Sequence, residues 1–208
     1  ADQHQQDKTM NPTEFTALLV LATAMSFSPG PNTTLATALA ANHGLRRAMP
    51  FVCAVPLGWG VVLSLCALGL GALLMAVPLL GLVMKVAGVA YLLWLAWKLS
   101  QSTRLAEADT SRLQVGFWQG AALQFVNVKA WMLALAIVTG WIAGRDDAAL
   151  RFATVLPVML VFAFSSNLVY AVLGSLLRSW LARGNRLAWF NRAMALVLLC
   201  TAVWILLK

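Results

Sequence analysis

The sequence has little charge. Only 11% of its 208 residues are charged and 61% are hydrophobic, whereas about 25% of the residues in soluble domains are charged. This deficit excludes a soluble globular domain and indicates a membrane protein. The net charge is +8, but a nucleic-acid-binding face requires basic residues clustered on a soluble surface. We therefore expect a lipid bilayer, and no nucleic acid, as a partner of this chain.

Groups that perform chemistry are also scarce. The two histidines, His4 and His43, lie near the ends of apolar segments, and none of the seven acidic residues lies deep in one. The three cysteines stand singly, without C-x-x-C spacing, and are interpreted as small hydrophobic residues. An enzyme acting inside the membrane would need a nucleophile with a base, or a cluster of metal ligands. The sequence therefore predicts no enzyme activity, no metal and no cofactor.

What the sequence has instead is long apolar segments. Each is long enough for a helix to cross about 30 Å of hydrocarbon, whereas a barrel would show short alternating strands. The segments are 15–42, 50–75, 79–99, 115–141, 152–177 and 187–207. They predict an all-α membrane protein with six transmembrane helices in a single domain, 10–208. Residues 1–9 are polar and are interpreted as a leader or a tag remnant.

If the chain crosses the membrane six times, the basic residues are distributed unevenly between the loops on its two sides. The loops after the first, third and fifth helices carry nine of them: Arg46, Arg47, Lys98, Arg104, Arg112, Arg178, Arg183, Arg186 and Arg192. The opposite side carries four: Lys8, Arg145, Arg151 and Lys208. Cytoplasmic loops are enriched in Lys and Arg. Loops 1, 3 and 5 are therefore predicted to be cytoplasmic, with both termini outside.

The two halves of the chain resemble each other weakly. Residues at matching positions are Asn32 with Asn127, Pro56 with Pro157, and Lys85 with Arg192. Halves of three helices each are inverted relative to one another across a membrane. The sequence therefore predicts two inverted three-helix repeats, 10–100 and 113–208. Many secondary transporters have this architecture, and interrupted segments at matching positions mark their binding site.

The first segment is interrupted by Pro29, Gly30 and Pro31. The 13 residues of 15–27 make only about 20 Å of helix, so the break is expected near the membrane midplane. Backbone groups freed there are buried in protein or line a wet cavity, because they cannot face lipid. Asn32 is expected to cap the following half-helix, whose N-terminus favours an anion such as a carboxylate. A kink used only for packing is the alternative.

The fourth segment contains Lys129, too far from either end for its side chain to reach the surface. A charge there costs about 2.5 to 3.5 kcal/mol, so it requires a partner in the protein interior. The candidates are carbonyls, amides, water and a substrate carboxylate. Gln124 and Asn127 share one helix face, but Asn127 and Lys129 point about 200° apart in a regular helix. If both line one site, the helix unwinds there; the alternative is a structural lysine bonded to carbonyls of the broken first helix.

Weaker candidates complete the predicted site. Ser28, Trp59 and Tyr91 are second-tier candidates for substrate contact, as is Asn167, which serves interhelical hydrogen bonding equally well. Gly116 and Gly120 form a G-x-x-x-G pattern, which lets helices approach closely. Packing within the chain is favoured over a dimer face. A homodimer stays open as a second interpretation.

Four stretches carry a family resemblance: "SPGPN", "NHGLRRA", "AGVAYLLWLAWKL" and "ALQFVNVKA". They resemble the LysE/RhtB family of bacterial amino-acid exporters, over nearly all of 10–208. Most of that family has Asn-Pro-Lys at 127–129, and the "LQFVNVK" found here is similar to the branch that contains the cysteine and O-acetylserine exporter. Many relatives have an acidic residue where this chain has Trp59. The resemblance implies a multi-pass protein of the bacterial inner membrane that exports small amino acids, and the missing acid argues against cationic substrates.

The leading hypothesis is export of small neutral amino acids such as cysteine and O-acetylserine. The expected substrate-binding residues are Pro29, Gly30, Pro31, Asn32, Gln124, Asn127 and Lys129. Transport would be driven by a proton carried on Lys129 or by the substrate gradient itself. Export of homoserine, threonine or other amino acids is the alternative within the family. A regulatory membrane subunit that transports nothing is the alternative from another class.

Overall fold

The computed structural model describes residues 10–102 and 115–207, and these are helical apart from short connections. The helices are α1 (Pro12–Phe27), α2 (Pro31–His43), α3 (Leu45–Ala67), α4 (Leu70–Ala76), α5 (Pro78–Ser100), α6 (Phe117–Val126), α7 (Val128–Ile137), α8 (Ala148–Leu181) and α9 (Arg186–Leu207). A π-helical turn, Val138–Ile142, continues α7. The predicted leader 1–9 and the charges of Lys8, Arg104, Arg112 and Lys208 lie outside the described residues.

Several of these helices are suited to a bilayer. Among the described residues, α3, α5, α8 and α9 are each long and apolar enough to cross a membrane. Helix α6 and helix α7, with the π-helical turn that continues α7, are together long and apolar enough to cross a membrane, as a pair bent by 68°. Helix α1 is apolar but has only 16 residues. The predicted all-helical membrane architecture is confirmed, with four or five candidate spans by length and composition in the described part of the chain.

Both predicted interruptions are present. Helix α1 ends at Phe27 and α2 begins at Pro31, while α6 and α7 meet at Asn127. The predicted segment 50–75 is wrong at both ends. Helix α3 begins at Leu45, after Gly44 at φ 85°, and ends at Ala67, before Gly69 at φ 93° starts the separate α4. Both glycines have the positive φ that other residues rarely adopt, and this fixes the helix boundaries.

Helix α8 is longer than the predicted 152–177. Its 34 residues make about 51 Å of helix, and they include Arg151 and Arg178, which lie at the ends of the apolar run. Pro157 lies inside it without ending it. Hydropathy therefore located the apolar part of this helix but not its polar extensions.

Glycines allow the helices to approach closely. A Cβ on Gly58 would collide with the backbone of Ala121, so α3 lies directly against α6. Gly174 of α8 lies in the same way against the backbone of Thr37 in α2. Small residues at helix contacts are the usual means of packing in membranes. In the G-x-x-x-G pattern, a Cβ on Gly120 would lie 2.8 Å from Phe51, whereas Gly116 faces open space; Gly120 therefore serves packing within the chain.

Ion pairs tie the helices together at one end of the bundle, called here the Glu14 end. Glu14 of α1 pairs with Arg145 at 3.4 Å and with Arg151 at 3.1 Å, and Arg151 pairs with Asp147 at 2.8 Å. Trp141 Nε1 donates to the Glu14 carbonyl at 2.9 Å. Partial desolvation raises the pKa of the Glu14 carboxyl, but hydrogen bonding from Asn11 and the Arg151 charge outweigh it, so this pKa lies below its usual value.

A buried amide network ties the opposite end, called here the Asn42 end. Asn42 of α2 and Asn191 of α9 are both fully buried, and each side chain donates to the other, at 2.8 and 2.9 Å. Ser102, just after α5, donates to Asn42 Oδ1 at 3.2 Å. Leu181 and Leu187, at the end of α8 and the start of α9, pack on Ala41 at this end. Helix α8 therefore runs the whole length of the bundle, from Arg151 to Leu181.

Candidate functional site

The break between α1 and α2 is held by side chains from the second half of the chain. The last carbonyls of α1 have no helical partner, and two carbonyls here, those of its last residue and of the residue after it, accept from distant donors. Tyr170 Oη donates to Phe27 O at 2.9 Å, and Lys129 Nζ donates to Ser28 O at 3.1 Å. Lys129 Nζ also donates to Ser28 Oγ at 2.7 Å. Two of the carbonyls at the break are therefore satisfied inside the protein, as lipid surroundings would require.

The start of α2 differs from the prediction in one respect. Helix α2 begins at Pro31, a residue favoured at the first helical position, so Gly30 and not Asn32 is its N-cap. Thr33 Oγ1 accepts from the Gly30 N–H at 3.0 Å. The Asn32 amide instead pairs with the Gln124 amide of α6 through two hydrogen bonds, at 2.9 and 3.0 Å. The prediction that Asn32 caps α2 was wrong because it considered only hydrogen-bond partners that are close in sequence.

The second interruption lies directly opposite the first. Asn127 has extended backbone angles, φ −86° and ψ 98°, between α6 and α7. Trp131 Nε1 donates to Phe125 O at 2.9 Å and so satisfies a carbonyl at the end of α6. Because the helix unwinds at Asn127, the side chains of Asn127 and Lys129 reach the same space, which a regular helix would not allow.

A small cavity of about 60 Å³ lies between the two interruptions. Its polar lining consists of Ser26, Ser28, Asn32, Thr33, Asn127, Lys129, Ser166 and Asn167. Its apolar walls include Met25, Val55, Trp59, Leu133 and Met159. Lys129 is the one charged residue in this lining. The cavity is therefore polar and cationic, without a carboxylate among the described residues that line it.

Most of the predicted residues meet at this cavity. Gly30, Pro31, Asn32, Asn127 and Lys129 line it, as do the second-tier candidates Ser28, Trp59 and Asn167. Pro29 lines an adjoining apolar groove of about 650 Å³, beside Met132, Cys200 and Trp204.

Two predicted residues lie apart from the cavity wall. Gln124 is fully buried behind Asn32 and holds it in place. Tyr91 packs its ring against Trp94, with centroids 5.5 Å apart, and lines neither space.

Lys129 is held without an acidic partner in the described part of the chain. Both of its hydrogen bonds go to Ser28, which corresponds to the structural alternative, a lysine bonded to the broken first helix. The same ammonium group lies at the cavity wall, so the two interpretations are compatible. A Cβ on Gly30 would lie 3.3 Å from Lys129 Nζ. Glycine at position 30 therefore gives the lysine room to reach the break.

Helix α8 supplies residues that sequence reasoning valued too little. Ala163, Ser166 and Asn167 line the cavity, and Tyr170 donates to the break. These four positions follow the spacing i, i+3, i+4, i+7 and so share one helix face. That periodic stripe of small and polar residues was the available signal. Two buried side-chain oxygens at the cavity, Asn127 Oδ1 and Asn167 Oδ1, have no hydrogen-bond partner within the described residues.

Comparison with known proteins identifies the family. Residues 23–208 match the family model described as LysE type translocator. The chain belongs to this family. The predicted family is thereby confirmed, and with it the prediction that this multi-pass membrane protein is a translocator and not an enzyme.

Named relatives cover nearly the whole of this LysE-type translocator. It is 30% identical to a cysteine/O-acetylserine efflux protein of Klebsiella pneumoniae, over 89% of this chain and 94% of that protein. The proteins of that name from Salmonella typhimurium and Escherichia coli strain K12 are 30% and 29% identical, each over 93% of this chain and 98% of the relative. No solved structure matches the chain.

Proposed function

We propose that this translocator is a secondary transporter that exports small neutral amino acids, cysteine and O-acetylserine first, across the bacterial inner membrane. The observation that carries the proposal is that two interrupted helices meet at one small polar cavity, whose described lining includes a lysine and no carboxylate. Interrupted helices around a central site are typical of secondary transporters. The names of the relatives support the efflux direction and the choice of substrate.

The substrate carboxylate binds between Lys129 and the start of α2 in this proposal. The backbone N–H groups of Asn32 and Thr33 have no carbonyl partner within α2, because the first turn of any helix lacks one. Both residues line the cavity. The helix dipole adds partial positive charge there, and the Lys129 ammonium has a third proton beyond the two that it donates to Ser28. An anion at this position therefore meets donors from both interrupted helices.

Cavity size and charge favour a small substrate without a cationic side chain. A water-sized group needs about 10 to 15 Å³ of such space, so about 60 Å³ holds roughly five groups. A cationic side chain would lie near Lys129, and the described residues around the cavity offer no carboxylate to neutralise it. Trp59, whose Nε1 donates to Ala130 O at 3.3 Å, fills the wall at the position where the family resemblance implies an acid in many relatives. The longer O-acetylserine would extend its ester into the adjoining groove.

The contacts support six crossings arranged as two inverted repeats. The ion pairs place the start of α1 beside the start of α8, and the amide network places the ends of α2 and α5 beside the start of α9. Helices α1 and α2 together then make one crossing from the Glu14 end to the Asn42 end, and α6 with α7 makes one in the opposite direction. We propose that the Asn42 end, with loops 1, 3 and 5, is cytoplasmic, as its basic residues suggest.

The test is export from liposomes that contain only the purified protein. Liposomes are loaded in parallel with labelled cysteine, O-acetylserine, threonine, homoserine or lysine, and release is compared with that from protein-free liposomes. Asn127→Ala is the site variant. The matched control is Thr154→Ala, because Thr154 is an exposed residue of α8 whose hydroxyl donates to Leu150 of its own helix.

Three outcomes separate the hypotheses. Release of cysteine or O-acetylserine that Asn127→Ala abolishes and Thr154→Ala preserves supports the proposal. Preferential release of threonine, homoserine or lysine replaces the proposed substrate with another. Release of no amino acid at all favours the regulatory subunit and overturns the proposal.

A further inference from the structure

We propose that the side-chain oxygens of Asn167 and Asn127 form a subsite for the α-ammonium group of the substrate. The inference rests on the proposed function, because it takes the transported molecule to be an amino acid. Asn167 then contacts the substrate directly and helps to select it. From the sequence, interhelical hydrogen bonding was an equally good interpretation of this residue.

The orientation of the Asn167 amide is fixed by its surroundings. Its Nδ2 donates to the Ala163 carbonyl, one turn earlier in α8, at 2.8 Å. A carbonyl can only accept, so the amide nitrogen faces Ala163 and the oxygen faces away from it. That oxygen is buried in a residue only 3% exposed and has no partner among the described residues. Buried acceptors are nearly always paired in native proteins, so an unpaired one at a cavity wall points to a bound donor.

Asn127 presents a second unpaired oxygen to the same cavity. Its backbone already makes the hydrogen bonds of the bend, from its N–H to Gln124 O at 3.4 Å and from the Ala130 N–H to its carbonyl at 2.9 Å. The side chain is therefore not needed to hold the bend. Its Oδ1 is buried, in a residue 6% exposed, and is unpaired within the described residues.

A third acceptor lies on the same helix as Asn167. Ser166 lines the cavity, and its hydroxyl donates back to Ala163 O at 3.3 Å, which leaves its oxygen lone pairs available. Asn127, Ser166 and Asn167 thus offer three neutral acceptors, the number of protons on a primary ammonium group. Lys129 and the start of α2 supply donors to the same cavity. A zwitterion fits this division, because its carboxylate needs donors and its ammonium needs acceptors.

The inference predicts which analogues the site rejects. N-Acetylcysteine keeps the thiol and the carboxylate but has no ammonium group, and 3-mercaptopropionate lacks the amino group altogether. 3-Mercaptopropionate would leave the buried oxygens of Asn127 and Asn167 unpaired, and the single amide N–H of N-acetylcysteine could pair with one of them at most. A site built to hydrogen-bond a group strongly rejects analogues that lack it. In reconstituted wild type, unlabelled cysteine should inhibit export of labelled cysteine at concentrations at least tenfold below those of either analogue.

Substitutions at Asn167 separate a substrate contact from a structural role. Asn167→Leu removes the acceptor and should reduce cysteine export at least tenfold and erase the discrimination between cysteine and 3-mercaptopropionate. Asn167→Asp keeps an oxygen for the ammonium, and when ionised it cannot donate to Ala163. If Asn167 acted only through its bond to Ala163, Asp would fail as completely as Leu. Recovery of cysteine export and of discrimination in Asn167→Asp is therefore the result expected for a subsite.

The results distinguish this inference from the proposed function. If wild type exports no amino acid, both are wrong. If wild type exports cysteine but the two analogues compete as well as cysteine does, the export function stands and the ammonium subsite is wrong. The analogue competition uses unmodified protein, so it decides the question even if Asn167→Leu fails to fold. Retained discrimination in a folded Asn167→Leu variant would equally overturn the subsite.

Discussion

The Asn32–Gln124 pair offers a quantitative test of how the two interrupted helices are joined. Each amide donates to the other, at 2.9 and 3.0 Å, and Gln124 is fully buried. A net hydrogen bond contributes about 0.5 to 1.5 kcal/mol to folding, and interhelical bonds in membranes average about 0.6 kcal/mol. Two bonds should therefore give a coupling free energy of about 1 to 2 kcal/mol.

A double-mutant cycle measures this coupling. The variants are Asn32→Leu, Gln124→Leu and the double substitution, with free energies of unfolding taken from equilibrium unfolding in mixed micelles. Either single substitution strands the amide of the other residue, so the double variant should be less destabilised than the sum of the singles. For a chain of this size, about 1 to 2 kcal/mol corresponds to a shift in Tm of roughly 2 to 8 °C.

The control is Gln119→Leu, on the same helix as Gln124. Gln119 is exposed, and its side chain accepts from the local Gly116 N–H at 3.1 Å. The substitution Gln119→Leu should therefore lower the free energy of unfolding only slightly, and it should show no coupling with Asn32→Leu. Strictly additive effects of Asn32→Leu and Gln124→Leu would refute the reasoning, because they would mean that the two amides do not meet in the folded protein.

Three further predictions test other contacts. Lys129→Met should abolish export measured in liposomes while the protein still folds, whereas Lys85→Met, which loses only a bond to the Leu206 carbonyl, should keep export; normal export by Lys129→Met would contradict the role of Lys129. Gly58→Ala should lower the Tm by several degrees because its Cβ meets the α6 backbone, whereas Gly116→Ala, which faces open space, should leave the Tm unchanged; equal Tm values would contradict the packing. Because the folded-state pKa of Glu14 is lowered, the carboxylate contributes stability above its unfolded pKa, and this contribution is lost as pH falls through the folded pKa. The stability difference between wild type and Glu14→Gln should therefore shrink below about pH 4.5, and a difference independent of pH would contradict it.

The helix breaks were predictable because their causes are local. Two prolines and a glycine within three residues disrupt any helix, and a lysine deep in an apolar segment requires an unusual environment. The unwinding at Asn127 was predictable because Asn127 and Lys129 cannot line one site from a regular helix. These inferences needed only the chain's own geometry and the cost of unpaired groups in lipid.

The partners of polar side chains were not predictable, because they lie far apart in sequence. Asn32 resembled an N-cap by its local position, but its partner Gln124 is 92 residues away. The amide network of Asn42 and Asn191 joins residues 149 apart, and the Glu14 and Arg151 ion pair joins residues 137 apart. A single sequence contains no signal for such pairings. They depend on which helix faces meet, and that is decided by packing along the whole bundle.

The polar contacts at both ends of the bundle join the first half of the chain to the second, and this bears on movement between the halves. At the Glu14 end, Glu14 of the first half pairs with Arg145 and Arg151 of the second. At the Asn42 end, Asn42 of the first half pairs with Asn191 of the second.

The contacts at the cavity, from Lys129 to Ser28 and from Gln124 to Asn32, also join the two halves. A rocking motion between the halves would therefore break the ties at one end and keep those at the other. The exposed ion pair to Arg145 is weakened by water and salt, whereas the fully buried amides resist opening until water reaches them. If substrate enters from the Asn42 end, as proposed, water would have to reach the amide network of Asn42 and Asn191 before that end opens.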